Sequence, residues 1–275
     1  MRWSTGRDRI RRRRRRRRRS GATFSLFATT WLIAIVGGCQ THENGGSSAT
    51  PGSAGTSKSG CDDVPSASDL KKYLAIAPDS GEAGGLFHGR AEWAAVVNRA
   101  GNVCAYAPST DSAGGIWPGS QAVAKAKAYT TNAFSTDTLA FSTARLYTLA
   151  QPGHSLFGVW QPETFNPSCL APLASRDGGV GKVCGGAIAF GGGVPLYRNG
   201  HIVGGLGVSG DTPCTDHEIA KRIRDLARLN PKAGKLVDDI TFSKVDHPSL
   251  YTHPLCPNTW RNGQKIGDEP VASGY

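Results

Sequence analysis

The sequence predicts an α+β domain, a mainly antiparallel β-sheet flanked by helices, and three observations carry that expectation. Two segments read as β-hairpins, one turning at Asn98-Arg99-Ala100-Gly101-Asn102 and one at Asn199-Gly200. Two longer segments, from Ser120 and from Cys214, have helical character. Hairpins and helices follow one another without the strict β-α-β alternation of a parallel sheet.

Taken in order, residues 66–77 form a short helix with Ser66 or Ser68 as N-cap and Leu70, Tyr73 and Leu74 on one face. Trp93 to Val97 and Val103 to Tyr106 are the arms of the first hairpin. Pro118-Gly119-Ser120 opens an alanine-rich helix through Val123, Lys125, Lys127 and Tyr129, and a second helix is expected after Asp137. Ala187-Ile188-Ala189-Phe190 reads as a strand leading into three glycines. The Asn-Gly pair that follows is the strongest short turn signal, and His201 to Val208 is the returning strand. Ser209-Gly210-Asp211-Thr212-Pro213 then supplies a capping residue followed by Pro, which opens a helix from Cys214 to about Leu229.

The chain divides into three parts. Residues 1–38 carry a positive segment with an unbroken run from Arg11 to Arg19, then an uncharged apolar stretch ending Val36-Gly37-Gly38-Cys39. Small residues ahead of a lone Cys resemble the lipobox of bacterial lipoproteins, so export, cleavage before Cys39 and lipidation of Cys39 (diacylglycerol, palmitate-type chains) are expected. An uncleaved transmembrane anchor is the competing reading, because the stretch is roughly the length a bilayer needs. Residues 39–60 are rich in Ser, Gly, Thr and Ala and read as a flexible tether. Residues 61–275 have the length of one domain with a good core.

Charge follows the same division. The whole chain is formally +11, yet residues 1–38 hold twelve Arg against a single acid, Asp8, leaving twenty bases and twenty acids beyond them. The arginine run is an orienting signal left in the cytoplasm, and a neutral mature chain offers no basic surface for nucleic acid. The localisation expected is the cell envelope, lipid-anchored on the periplasmic or extracellular side.

Beyond Cys39 stand Cys61, Cys104, Cys169, Cys184, Cys214 and Cys256, an even number in an oxidising compartment, which reads as up to three disulfides. Wide spacings and the lack of any C-x-x-C pair weigh against a metal cluster. Connectivity does not follow from sequence; Cys214 with Cys256 and Cys169 with Cys184 are the first choices.

Several motifs bear on chemistry. Gly205-Leu206-Gly207-Val208-Ser209-Gly210 spells G-x-G-x-x-G, but it ends a hairpin instead of opening a β-α-β unit, so glycines chosen for packing explain it better than a dinucleotide. His217-Glu218 starts like the zinc-protease motif H-E-x-x-H, and Lys221 ends the match. Ser209 sits at a strand-to-helix turn, but Asp211 occupies the second glycine position of the nucleophile elbow, so Ser209 reads as a helix cap. Among the histidines, His88 beside Phe87 and His217 in the first turn of a helix are the better ligands. The only Met is Met1, which excludes Met ligation of a haem in the processed chain.

These pieces together resemble the GlcG/HbpS family, also seen as the C-terminal domain of PduO proteins and associated with haem binding and haem degradation. The resemblance rests on the Asn98–Asn102 turn, the helix from Ala124 to Phe134, Gly192-Gly193-Val194-Pro195-Leu196, and the segment from Val203 to Gly210 with Asp216 beyond, and spans residues 91–228. It implies an antiparallel sheet with profilin-like layering, assembly into homo-oligomers, and haem or a related tetrapyrrole as cofactor. His88 and His217 are then the candidate iron ligands, with Lys125, Lys127 and the helix start at Gly210 and Asp211 meeting the propionates. An insertion at about 151–182, a tail after Asn230 and the six cysteines depart from the family pattern. No catalytic residue is carried over. A cofactor-free envelope module that binds a partner protein, and an enzyme acting on haem or a small metabolite, are the alternative readings. A pull-down partner for the apo-protein marks the first of these, and haem turnover with peroxide marks the second.

Overall fold

The structure, a computed structural model, describes residues 60–271 apart from positions 163 and 176. The expected export segment, Cys39 and the expected tether up to residue 59 lie outside the described residues. Among the described residues no helix is long and apolar enough to cross a membrane.

Helix α1 (Ala67–Ile76) begins with a capping box. The Ser66 hydroxyl accepts the Asp69 N–H while the Asp69 carboxylate accepts the Ser66 N–H, and Leu70 and Leu74 go to the core. Strands β1 (Trp93–Asn98), β2 (Val103–Pro108), β3 (Gly193–Arg198) and β4 (His201–Ser209) form one antiparallel sheet in the order β2-β1-β4-β3. The two hairpins are therefore joined through β1 and β4, with Trp93 opposite Ser209 and Asn98 opposite Gly204.

Alternation along the strands feeds two cores. Ala94, Val96, Leu206 and Val208 pack with Leu70 and Leu74 of α1 and with Ile219 and Ile223 of α3 (Pro213–Leu226). Trp93, Ala95, Val97 and Tyr106 face the other way, onto Ala124 and Ala128 of α2 (Ser120–Phe134). The result is a three-layer α+β sandwich with α2 on one side of the sheet and α1 and α3 on the other. A Cβ at Gly207 would stand 2.0 Å from the Ala124 carbonyl oxygen, and one at Gly205 2.2 Å from that of Ala128. The glycines of the G-x-G-x-x-G segment thus let α2 lie directly on the sheet.

Three local expectations are corrected. The strand expected at 187–190 lies instead at β3, because Asn199 (φ 54°) and Gly200 (φ 83°) form the turn and the register counts back from Arg198 opposite His201. Pro195 is accommodated because β3 is an edge strand. No α-helix follows Asp137: its carboxylate accepts the Ile202 N–H and pairs with His201, both at 2.8 Å, pinning the chain to the β3–β4 hairpin. Short 3₁₀ turns at Thr143–Leu146 and Thr148–Ala150 follow. Finally, α3 is capped by Thr212, which accepts the Thr215 N–H with Pro213 in the first turn, while Ser209 ends β4; the helix stops at Leu226.

Disulfides join Cys169 to Cys184, Cys214 to Cys256 and Cys61 to Cys104. The insertion is tied to α2, since Lys125 Nζ donates to the carbonyls of Cys169 (2.7 Å) and Gly178 (2.8 Å). The C-terminal extension carries two short strand pairs, β5 (Thr241–Phe242) with β6 (Thr252–His253) and β7 (Thr259–Arg261) with β8 (Gln264–Gly267). A third core of Ala144, Cys214, Ile240, Phe242 and Cys256 holds this extension against α3. A fully buried two-pronged pair, Arg224 with Asp238 at 2.8 and 2.7 Å, fastens it further.

Candidate functional site

The loop between α1 and β1 is shaped by one carboxylate. Asp211, just ahead of α3, accepts the N–H groups of Leu86 (2.7 Å), Phe87 (2.8 Å) and Gly89 (3.1 Å) as well as that of Thr212 (2.7 Å). Gly85 and Gly89 pack close against Thr215 and Ile219 of α3. This clamp leaves His88 at the crest with φ 55°, its side chain 57% exposed.

His88 Nδ1 lies 2.9 Å from Glu82 Oε1. Glu82 also accepts the N–H groups of Gly84 (2.8 Å) and Ala83 (2.9 Å), and the His88 bond followed by these amides holds its carboxyl below the usual range. A carboxylate at Nδ1 selects the tautomer with the proton on that nitrogen, which leaves the Nε2 lone pair for a metal. The open groove beside the ring, about 510 Å³, is lined by Pro78, Asp79, Gly81, Glu82, His88 and Arg90. Arg90 is exposed and pairs with Asp79 at 2.7 Å. Around the loop stand half-exposed Leu86, Phe87 and Trp117, the two rings meeting edge to face at 5.3 Å.

His217 is placed very differently. It is fully buried in α3, and neither ring nitrogen has a hydrogen-bond partner. The Asp239 carboxylate stands 3.6 Å away, beyond hydrogen-bonding distance, and is itself bonded to Lys221 at 2.6 Å. Burial lowers the His217 pKa. For Asp239, burial works upward, but His217 and Lys221 outweigh it and hold the carboxyl low. Thr215 and Ile219 face the His88 loop; His217, two residues from Thr215, points about 200° around the helix, to the other side. The two histidines are not brought together.

The two lysines are interior as well, and neither ammonium reaches the surface. Lys125 gives its protons to Gln121 and the two insertion carbonyls, lies 3.7 Å above the Tyr106 ring, and is pushed down to about 8 by burial. Lys127 pairs with Asp216 at 2.6 Å and donates to the Val208 carbonyl at 3.0 Å. Asp216 in turn accepts the N–H groups of Gly210 (3.2 Å) and Asp211 (2.9 Å). The helix start is therefore satisfied internally, by Asp216 from within and by the loop from without. Beside this pair lies Glu92, fully buried with no hydrogen-bond partner on either oxygen. Burial, then the neighbouring Asp216 and Asp211, raise its pKa well above normal.

Sequence reasoning missed Glu82, Arg90 and Trp117 as companions of His88. Glu82 and Arg90 flank it at six and two residues, a signal present in the sequence, whereas Trp117 is brought in only by the fold.

The site thus belongs to a three-layer α+β domain, and of its two exposed imidazoles oriented by a carboxylate, His88 and His201, it is His88 that stands beside aromatic surface. A family model described as haem degrading protein HbpS-like matches residues 82–224. The chain belongs to this HbpS-like family. Among solved structures it is similar to PduOC in complex with haem (24% identity over 59% of this chain and 94% of that one, TM-score 0.39) and to HbpS (21%, 65% and 97%, TM-score 0.40). It is also similar to the protein ORFY of Klebsiella pneumoniae (22%, 58% and 89%, TM-score 0.40). No curated protein matches the chain.

Proposed function

We propose that this protein binds haem or a related tetrapyrrole at the His88 groove, and that it does so in the cell envelope, held by lipid on Cys39. The Nδ1 bond from His88 to Glu82 carries the reading, because it presents Nε2 as a metal ligand on an exposed ring. The residues fit the group in kind: an imidazole for the iron, Leu86, Phe87 and Trp117 as apolar surface for the macrocycle, and Arg90 for a propionate. Family membership and the haem complex of PduOC support the same ligand. Assembly into a homo-oligomer belongs to this reading and is checked by sedimentation with and without haemin.

Haemin titration followed at the Soret band tests it. Saturable binding at fixed stoichiometry is expected, with His88→Ala weakening it at least tenfold and Glu82→Gln shifting the band, while His217→Ala leaves the spectrum unchanged. Retention of an identical Soret band and affinity in His88→Ala sinks the assignment. For the anchor, Cys39→Ser is expected to move the protein from the membrane to the soluble fraction; unchanged fractionation argues for an uncleaved span.

A further inference from the structure

Away from the His88 groove, the structure gathers a second set of donors that the haem reading does not use. Cys214 and His217 lie three residues apart on α3, and His253 and Cys256 three residues apart in the C-terminal extension. Ligand atoms of Cys214, Cys256 and His253 all lie within 4.8 Å of one another, and all three residues are buried. His217 is fully buried, neither ring nitrogen makes a hydrogen bond, and Nε2 stands 3.6 Å from Asp239 Oδ1. Gly191 ties the histidines to one place: its N–H donates to His253 Nε2 at 3.3 Å, and a Cβ on it would meet His217 Cβ at 3.2 Å.

We infer that Cys214, Cys256 and His253, with His217 as fourth donor, form a tetrahedral site for Zn²⁺ or a similar thiophilic ion whenever the Cys214–Cys256 bridge is reduced. Two Cys and two His in C-x-x-H and H-x-x-C pairs are the donor set such a site requires. Both histidines are suited to it. His253 has Nδ1 2.7 Å from the Pro254 carbonyl, which fixes the tautomer with its lone pair on Nε2, where an ion would displace the long bond from the Gly191 N–H. The sulfurs are held in place too: Cys214 is in the first turn of α3, and its backbone N–H donates to Cys256 Sγ at 3.2 Å.

The chemistry balances with a dithiol as reductant. The dithiol passes two electrons and two protons to the Cys214–Cys256 disulfide, becoming a disulfide itself; Zn²⁺ then replaces the two thiol protons, which leave to solvent. The sulfurs move from bonding distance to about 3.7 Å apart, as two Zn–S bonds of about 2.3 Å at a tetrahedral angle demand. Oxidised, the site is a covalent staple between α3 and the extension; reduced, the ion takes over that staple.

The test uses the domain of residues 61–275, produced under reducing conditions, with alkylation and mass spectrometry of an aliquot confirming that Cys214 and Cys256 are free thiols. Anaerobic Co²⁺ titration is expected to give thiolate-to-cobalt charge transfer and the intense visible bands of a tetrahedral centre, saturating at one ion per chain and bleached by Zn²⁺. The Cys214→Ser/Cys256→Ser variant is expected to lose these bands, and His253→Ala and His217→Ala each to weaken binding at least tenfold. X-ray absorption of the zinc-loaded parent chain, expected to show two sulfur and two nitrogen neighbours, keeps the test independent of whether the variants fold. Absence of the bands in the reduced parent, or their survival in the double Ser variant, overturns the proposal and leaves the bridge a structural disulfide. Unchanged binding in His217→Ala overturns its place as fourth donor.

Discussion

Replacing Lys127 by Met removes a charge but keeps an unbranched apolar stem of similar length, so it isolates the ion pair that joins α2 to the start of α3. In the parent chain Lys127 Nζ is 2.6 Å from Asp216, with the two side chains 0% and 2% exposed. The variant strands the Asp216 carboxylate in the interior beside Glu92 and Asp211, and leaves the Val208 carbonyl without its donor. Breaking a buried pair from one side costs about 3–5 kcal/mol. For a domain of this size that lowers Tm by about 6–20 °C, at about 2–4 °C per kcal/mol. Urea unfolding at neutral pH with the disulfides intact measures the loss. The sign with pH is also fixed. Burial already raises Asp216 above its ordinary value, and losing Lys127 raises it further, so the native state holds a proton that the unfolded chain has released. Stability of Lys127→Met relative to the parent therefore falls as pH rises through the Asp216 titration and recovers on acidification. Adding Asp216→Asn is expected to restore at least half of the loss at neutral pH. A cost below about 1 kcal/mol, or a double variant no better than the single one, refutes the assignment of this pair.

Three further outcomes follow from the same geometry. Glu92→Gln keeps the shape and removes a carboxyl whose pKa is raised by burial; it is expected to be more stable than the parent at neutral pH, with the advantage vanishing as acid protonates Glu92 in both states, read from urea midpoints across pH. Gly207→Ala places a Cβ 2.0 Å from the Ala124 carbonyl, a backbone atom that moves only with α2, so a loss of about 1–3 kcal/mol or more is expected in thermal unfolding. Cys169→Ser with Cys184→Ser opens a bridge of sequence separation 15 and is expected to cost about 3 kcal/mol, together with faster proteolysis of the insertion that Lys125 holds.

What the sequence made legible was local, and what it hid was distant. Asn199-Gly200 announces its hairpin because two left-handed residues in a row leave few other structures open. The capping box at Ser66 and the Thr212-Pro213 start of α3 are readable because donor and acceptor lie within one turn. Pro195 and three glycines obscured β3, since their tolerance depends on the strand lying at an edge, which is a property of the sheet. Lys127 and Asp216 are 89 residues apart, and nothing in either neighbourhood marks them as a pair. A sequence full of alanine around Lys125 and Lys127 reads as an exposed helix with cationic tips. Only the docking of α2 on Gly205 and Gly207, with the insertion across it, turns both ammonium groups inward.

The two histidines singled out from sequence show why residue type alone does not assign a ligand. An imidazole that takes an external macrocycle needs open surface on the side of its lone pair, and His88 has that: a groove on one side and a carboxylate fixing the far nitrogen on the other. His217 has the complementary environment, with its ring enclosed, its nitrogens unpaired, and two cysteines and a second histidine within the same interior region. With the ring fully buried, a planar cofactor would need a far wider opening than a single ion. On the two proposals, the same residue type then takes ligands of two size classes. Exchanging the ligands, haemin for cobalt, is predicted to leave each histidine variant defective only toward its own.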